Sequence, residues 1–130
     1  MAKRQQAFTG TKWEDAYGYC RALRVGDVIY VSGTTGTNEA GELVGIGDPR
    51  AQTEQIFRKI GGALEQLGAS LQDVVRTRMF VVGAENWQPV AEVHGAAFAD
   101  IQPVSTLVLV AGLIEPEMLV EIEVEAIIGS

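Results

Sequence analysis

One cysteine, one histidine and four prolines in 130 residues leave little material for several kinds of chemistry. Cys20 has no second cysteine with which to close a disulfide, a CxxC redox pair or a thiolate zinc site, and a reducing compartment, the cytoplasm, fits best. His94 cannot build a histidine-rich zinc site alone, and no Ser, Cys or Asp beside it in sequence suggests a relay. Its spacing from Trp87, Val90, Ala91, Ala97 and Phe98 puts it on or beside the apolar face of a helix, where a packed, half-buried imidazole is expected. Basic residues are also scarce. Ten Lys and Arg against seventeen Asp and Glu give a net charge of -7, the wrong sign for binding phosphate backbones, so no nucleic acid partner is expected. No apolar run approaches the span of a bilayer, and the start MAKRQQAF carries no apolar stretch behind its basic residues; the expectation is a soluble, untargeted protein without a membrane partner.

What is present suits a folded domain. Hydrophobic residues make up 47% and charged residues 21%, near the globular average. A chain of this length buries about two-thirds of the surface that it exposes when unfolded, enough for a core without disulfides or metal. Residues 1–130 are read as one domain, with no linker or low-complexity segment dividing them.

Two β-rich runs, Tyr17 to Val25 and Val28 to Gly33, flank Gly26-Asp27, a two-residue connection of the kind hairpins use. Residues 34–47 hold four glycines and little periodicity, which predicts a long loop with a short strand near Leu43 and Val44. Asp48-Pro49 opens a helix in which Ile56, Ile60, Ala63, Leu64 and Leu67 recur at helical spacing, and Gly68 stops it. Ser70 to Asp73 reads as a capped turn. Val74 to Val82 follows as a strand with Arg76 and Arg78 on one side, then a helix from an Asn86 cap to about Ala99 with Trp87 opening its apolar face. Val104 to Ala111 and Met118 to Ile128 are the last strands. The order is ββαβαββ. Two helices cover only one face of such a sheet, so the opposite face meets solvent or another subunit.

The last strand alternates. Val120, Ile122, Val124 and Ala126 point one way; Glu121, Glu123 and Glu125 point the other, about 7 Å apart. Carboxylates so close need cationic partners or raised pKa values, and Arg76 with Arg78, or Arg21 with Arg24, are the candidates. A solvated face of cross-strand ion pairs is the plain reading. A carboxylate in a cleft that positions water, with a neighbouring tyrosine donating a hydrogen bond, is the chemical one, and spacing alone selects no particular Glu. Cys20 alternates away from Tyr19 and reads as a small packed thiol.

Tyr19 to Gly33 (YCRALRVGDVIYVSG), the helix from Gln52 to Gly68, Leu71 to Val82 (LQDVVRTRMFVV) and VEIEVEAI from Val120 together resemble the Rid family, the reactive-intermediate deaminases also called YjgF-like. The resemblance spans nearly the whole chain. It implies a chorismate-mutase-like α+β fold, with a mixed six-stranded sheet and two helices on one face. It further implies a homotrimer with inward-packed sheets and a small-molecule ligand in clefts between subunits. Known members hydrolyse reactive enamines and imines to a keto acid and ammonia without a cofactor, and no metal is implied. By position, Tyr19 falls on the family's cleft tyrosine, Ser32 and Gly33 on its strand-end pair, and Glu123 on its water-positioning carboxylate; Pro103 also matches.

The departures bear on substrate. Active deaminases carry an arginine two residues after the proline equivalent to Pro103, where its fork grips a substrate carboxylate. Here that residue is Ser105; Leu107 replaces a common cysteine and Ala91 the usual helix asparagine. The chain therefore resembles the arginine-lacking subgroups. Arg21, two residues after Tyr19, is a displaced cationic anchor or an ion-pair partner of the glutamate stripe. Two functions follow: an imine or enamine hydrolase with an altered substrate, its catalytic residues Glu123 and Tyr19 and its binding residues Ser32, Gly33, Ser105 and Arg21, or a non-catalytic metabolite-binding or regulatory trimer.

Overall fold

Alternating apolar residues build the sheet, and helical spacing of the same residue types covers it. The computed structural model describes residues 3–130. Its strands are β1 (Arg4–Ala7), β2 (Ala22–Val25), β3 (Val28–Thr34), β4 (Val74–Val82), β5 (Val104–Val110) and β6 (Val120–Ile127). The helices are α1 (Lys12–Tyr17), α2 (Pro49–Gln66) and α3 (Trp87–Phe98). All six strands form one mixed sheet in the order β1-β2-β3-β6-β4-β5. The hairpin of β2 and β3 turns at Gly26-Asp27, where Gly26 takes a φ of 62°, a left-handed conformation that suits glycine. Strand β6 sits between β3 and β4, antiparallel to both. The parallel pair β4 and β5 requires a crossover, and α3 supplies it.

The helix signals are physical caps. Asp48 accepts a hydrogen bond from Ala51 N at 3.1 Å with Pro49 at the first helical position, and Gly68 stops α2 at φ 84°. Ser70 and Asp73 form a reciprocal capping box that leads into β4. Asn86 opens α3 without a side-chain cap; its amide donates instead to Val82 O at 2.8 Å. Ile56, Ile60 and Leu64 of α2 and Val90 and Phe98 of α3 pack over Ile29, Val31, Val81, Ile122 and Val124. Each such side chain contributes about 1.5–3 kcal/mol by leaving water.

The N-terminal quarter departs from expectation. The run from Tyr17 is not a strand: Tyr17 ends α1, Gly18 caps it at φ 74°, and β2 begins only at Ala22. The helix has signals of its own, a Thr11 cap donated to by Glu14 N and a ring stack of Trp13 on Tyr17 at 6.0 Å, four residues apart. The polar start holds β1, which carries no apolar alternation and exists because the outer edge of β2 offers it a ladder from Arg4↔Val25 to Ala7↔Ala22. The long loop is present, and its short strand reduces to one bridge, Thr37↔Leu43. Trp87, expected in the core, is 47% exposed because it occupies the first position of α3, beyond the packed stripe. Among the described residues no helix is long and apolar enough to cross a membrane.

Candidate active site

Strand β6 buries Val120, Ile122, Val124 and Ala126 under the helices, which turns Glu121, Glu123 and Glu125 onto the open face. Register then selects their partners. Arg78 of β4 lies opposite Glu123 and Arg76 opposite Glu125. Arg78 Nη1 donates to Glu123 Oε1 at 3.0 Å and to Glu125 Oε1 at 3.3 Å, while Arg76 Nε stands 3.8 Å from Glu125 Oε2. These partly solvated pairs contribute at most about 1 kcal/mol each, but they orient the carboxylates. Glu123 Oε2 has no hydrogen-bond partner among the described residues.

Across β3, the ladder to β6 shifts register between Val31 and Thr34, where Ser32 and Gly33 lie. Ser32 Oγ donates to Cys20 O at 2.8 Å and Ser32 N to Arg21 O at 2.9 Å, tying the segment before β2 to the open face. Tyr19, Cys20, Ser32, Arg78 and Glu123 thereby line one concavity of about 430 Å³, which Arg4 and Tyr30 help to close. The structure thus brings Tyr19, Ser32 and Glu123 together. Arg78 and Cys20 are additions. Arg78 was legible as an ion-pair partner but not as a lining residue; Cys20 was assigned to the opposite face by strand alternation, which does not apply because residues 18–21 are not in a strand.

Arg21, Gly33 and Ser105 do not join them. Arg21, 6% exposed, turns inward: Nη1 donates to Gly33 O at 2.6 Å and Thr34 Oγ1 at 2.9 Å, and Nε lies 3.7 Å from Glu14 Oε2. Its ion pair is with a helix residue rather than with the stripe, so it braces β3 and is not a free cationic anchor. Burial raises the Glu14 carboxyl, but hydrogen bonds from Thr9 and Thr11 and the charge of Arg21 outweigh it and leave the pKa below the usual carboxylate range. Gly33 is needed for space: a Cβ there would overlap the Glu121 carboxylate. Burial pushes Glu121 up, with Arg21 opposing and Glu123 adding to the shift. Lys59, which donates to Thr35 O at 2.7 Å and Thr37 Oγ1 at 2.8 Å, is lowered to about 8 by burial and by Arg21.

Ser105 lies on the other side of the sheet. Parallel pairing sets it beside Thr77, whose side chain faces the helices, and Thr77 Oγ1 donates to Ser105 Oγ at 2.8 Å. Thr77 Oγ1 also stands 2.8 Å from His94 Nε2. His94 is half-buried against Phe98, ring centroids 4.8 Å apart, as its helical spacing predicted. Burial lowers its pKa, which keeps the ring neutral at physiological pH. Its partner was not legible, because only the β4-β5 pairing brings Thr77 and Ser105 together.

A six-stranded mixed sheet with helices on one face and a ligand-sized depression on the other defines an α+β protein of the YjgF fold. The chain belongs to the Rid, or YjgF/YER057c/UK114, family: the model of the family described as Endoribonuclease L-PSP matches residues 9–128. An uncharacterized protein of Streptomyces coelicolor is 35% identical, over 94% of this chain and 90% of its own. The 3-aminoacrylate deaminase RutC of Acinetobacter baylyi is 31% identical, over 80% of this chain and 82% of its own. Among solved structures, Rv2704 of Mycobacterium tuberculosis, a YjgF/YER057c/UK114 member, superposes with a TM-score of 0.88 at 44% identity, covering 97% of this chain and 100% of that one. RidA of an Antarctic Psychrobacter gives 0.78 at 33% identity, covering 85% and 89%.

Proposed function

We propose that the protein is a cofactor-independent hydrolase of a small imine or enamine. It acts as a single 130-residue domain in a cytoplasmic homotrimer, with its ligand in a cleft between subunits and without nucleic acid or membrane partners. The observation that carries this reading is the division of labour at Glu123. Arg78 holds Oε1, and Oε2 is left free to accept from a water in the concavity that Tyr19 and Ser32 share. Water adds to the imine carbon as its proton passes to Glu123; the nitrogen takes a proton, for which the Tyr19 hydroxyl is the neighbouring donor. An enamine enters as its imine tautomer; collapse of the carbinolamine then passes the Glu123 proton to the leaving nitrogen and the hydroxyl proton back to Tyr19, which releases ammonia, leaves the carbonyl compound and restores both residues.

Two features support the assembly. Ser105 and Glu123 lie on opposite faces of one sheet, so a site that uses both draws them from two subunits. The edge strand β5 exposes Val104, Val108 and Leu109 with nothing over them. The deaminase named among the relatives supports the reaction class. The ribonuclease in the family description fits poorly with a net charge of -7. Freshly generated imines, with and without a carboxylate, should release ammonia above the buffer rate, and Glu123→Gln should slow release by about 10²–10⁴-fold. Unchanged turnover in that variant overturns the mechanism, and sedimentation as a monomer overturns the cleft.

One observation favours a second reading, a non-catalytic metabolite binder. The Ser32 hydroxyl is already donated to Cys20 O, and Arg78 to the glutamates, so much of the polar lining is satisfied without a ligand. Its mark is saturable thermal stabilisation by keto acids or amines with no ammonia released.

A further inference from the structure

Of the chain's three lysines, the fold takes only Lys59 partly out of water. Lys3 and Lys12 are exposed, whereas Lys59 is half-buried where α2 passes the start of the long loop. Its Nζ donates to Thr35 O at 2.7 Å and to Thr37 Oγ1 at 2.8 Å, and Gln55, four residues earlier on the helix, donates to Thr37 O at 3.1 Å. Among the described residues no carboxylate stands within ion-pair distance of that amine.

The charges that act on it are those of Arg21 and Glu14. Thr9 and Thr11 already occupy the Glu14 carboxylate, so burial and the like charge of Arg21 prevail and lower Lys59 to about 8. About one such amine in ten is neutral at pH 7, against about one in three thousand at the usual 10.5. Two donors nearby are idle. The Thr37 hydroxyl accepts from Lys59 while its own proton has no acceptor among the described residues, and Arg21 Nε is buried without a partner. A half-buried amine beside a cation and a free hydroxyl proton suits a small electrophile that turns it into an anion.

We propose that Lys59 is a carbamylation site for dissolved carbon dioxide. The amine lone pair bonds to carbon, one C=O electron pair moves onto oxygen, and an amine proton leaves to solvent water, so the product is a carbamate anion with no further reactant. The remaining N–H keeps Thr35 O, and the Thr37 hydroxyl donates to a carbamate oxygen. Arg21 changes from a repelling neighbour into an attracting one. Thr35 and Thr37 follow the strand end whose Ser32 lines the concavity, so the change of charge falls on the segment that leads out of it. Nothing in this step uses Glu123, and the site stands whether or not the protein is a hydrolase.

Protein equilibrated with isotopically labelled bicarbonate near neutral pH and trapped with triethyloxonium ion should carry an ethylated carbamate. Peptide mass mapping separates Lys59 from every other amine. Lys59 should be labelled about tenfold or more above Lys3 and Lys12. Thr37→Val, which removes the hydroxyl donor, should cut the yield about threefold, and Arg21→Gln, which removes the cation, should cut it further. Should Arg21→Gln not fold, Thr37→Val and the comparison among the three lysines still decide. No carbamate at Lys59, a yield equal to that of Lys3 and Lys12, or a yield indifferent to either variant in its folded form overturns the proposal.

Discussion

The two faces of the sheet are made from the same strands and do different work. On the covered face, Ile29, Val31, Val81, Ile122 and Val124 meet α2 and α3, and Thr77 among them is hydrogen-bonded. On the open face, Glu121, Glu123 and Glu125 run beside Arg76 and Arg78, Tyr30 and Ser32. Alternation along a strand forces this division, since each residue given to the core gives its neighbours to the other side. Stability therefore resides on one face, and the other is left to carry charge that a core would not tolerate.

The comparison can be broken most severely from the covered side. Ile122→Ala, next to Glu123 in sequence but opposite in direction, should cost about 2–5 kcal/mol of unfolding free energy, whereas Glu123→Gln should cost far less while removing turnover. Equal losses in denaturant titrations of the two variants would dissolve the distinction. Gly33→Ala, which puts a methyl group where the Glu121 carboxylate rests, should cost about 1 kcal/mol, since only a flexible side chain has to move. An unchanged unfolding midpoint would show that the space is not needed.

Glu121 adds a pH dependence. Burial lifts its pKa above the usual 4.5, so over that interval the folded chain keeps a proton that the unfolded chain has released. Its contribution to stability is complete below the unfolded value and declines as pH rises through the folded one. Glu121→Gln should therefore lose less stability than the parent as pH is raised from 4.5, and superimposable profiles would refute the assignment. Smallest of all, Arg76→Ala should change unfolding by no more than about 0.5 kcal/mol, because its 3.8 Å pair with Glu125 is partly solvated. A larger loss would mean that the open face stabilises the fold as well.

The sheet and long helices were legible because their signals are local. Asp48-Pro49 and Gly68 bound α2, Ser70 and Asp73 close a capping box, and β6 alternates without interruption. The N-terminal segment misled because a β-rich composition around Tyr17 to Val25 concealed the stop at Gly18. Strand β1 carried no pattern to read, since a ladder edge rather than its own side chains holds it in place. At the site, Tyr19, Ser32 and Glu123 were found by resemblance. The inward turn of Arg21 was not, because its partner Glu14 lies in a helix that had not been expected.

The chain's own pattern settled which residues form the main strands and long helices and which face of β6 is charged, because caps and periodicity act within a few residues. Tertiary structure alone decided that Arg78 grips Glu123, that Arg21 is spent inside, and that Ser105 stands in line with Thr77 and His94. Those contacts depend on register between strands distant in sequence, and a one-residue slip would have turned each side chain to the other face.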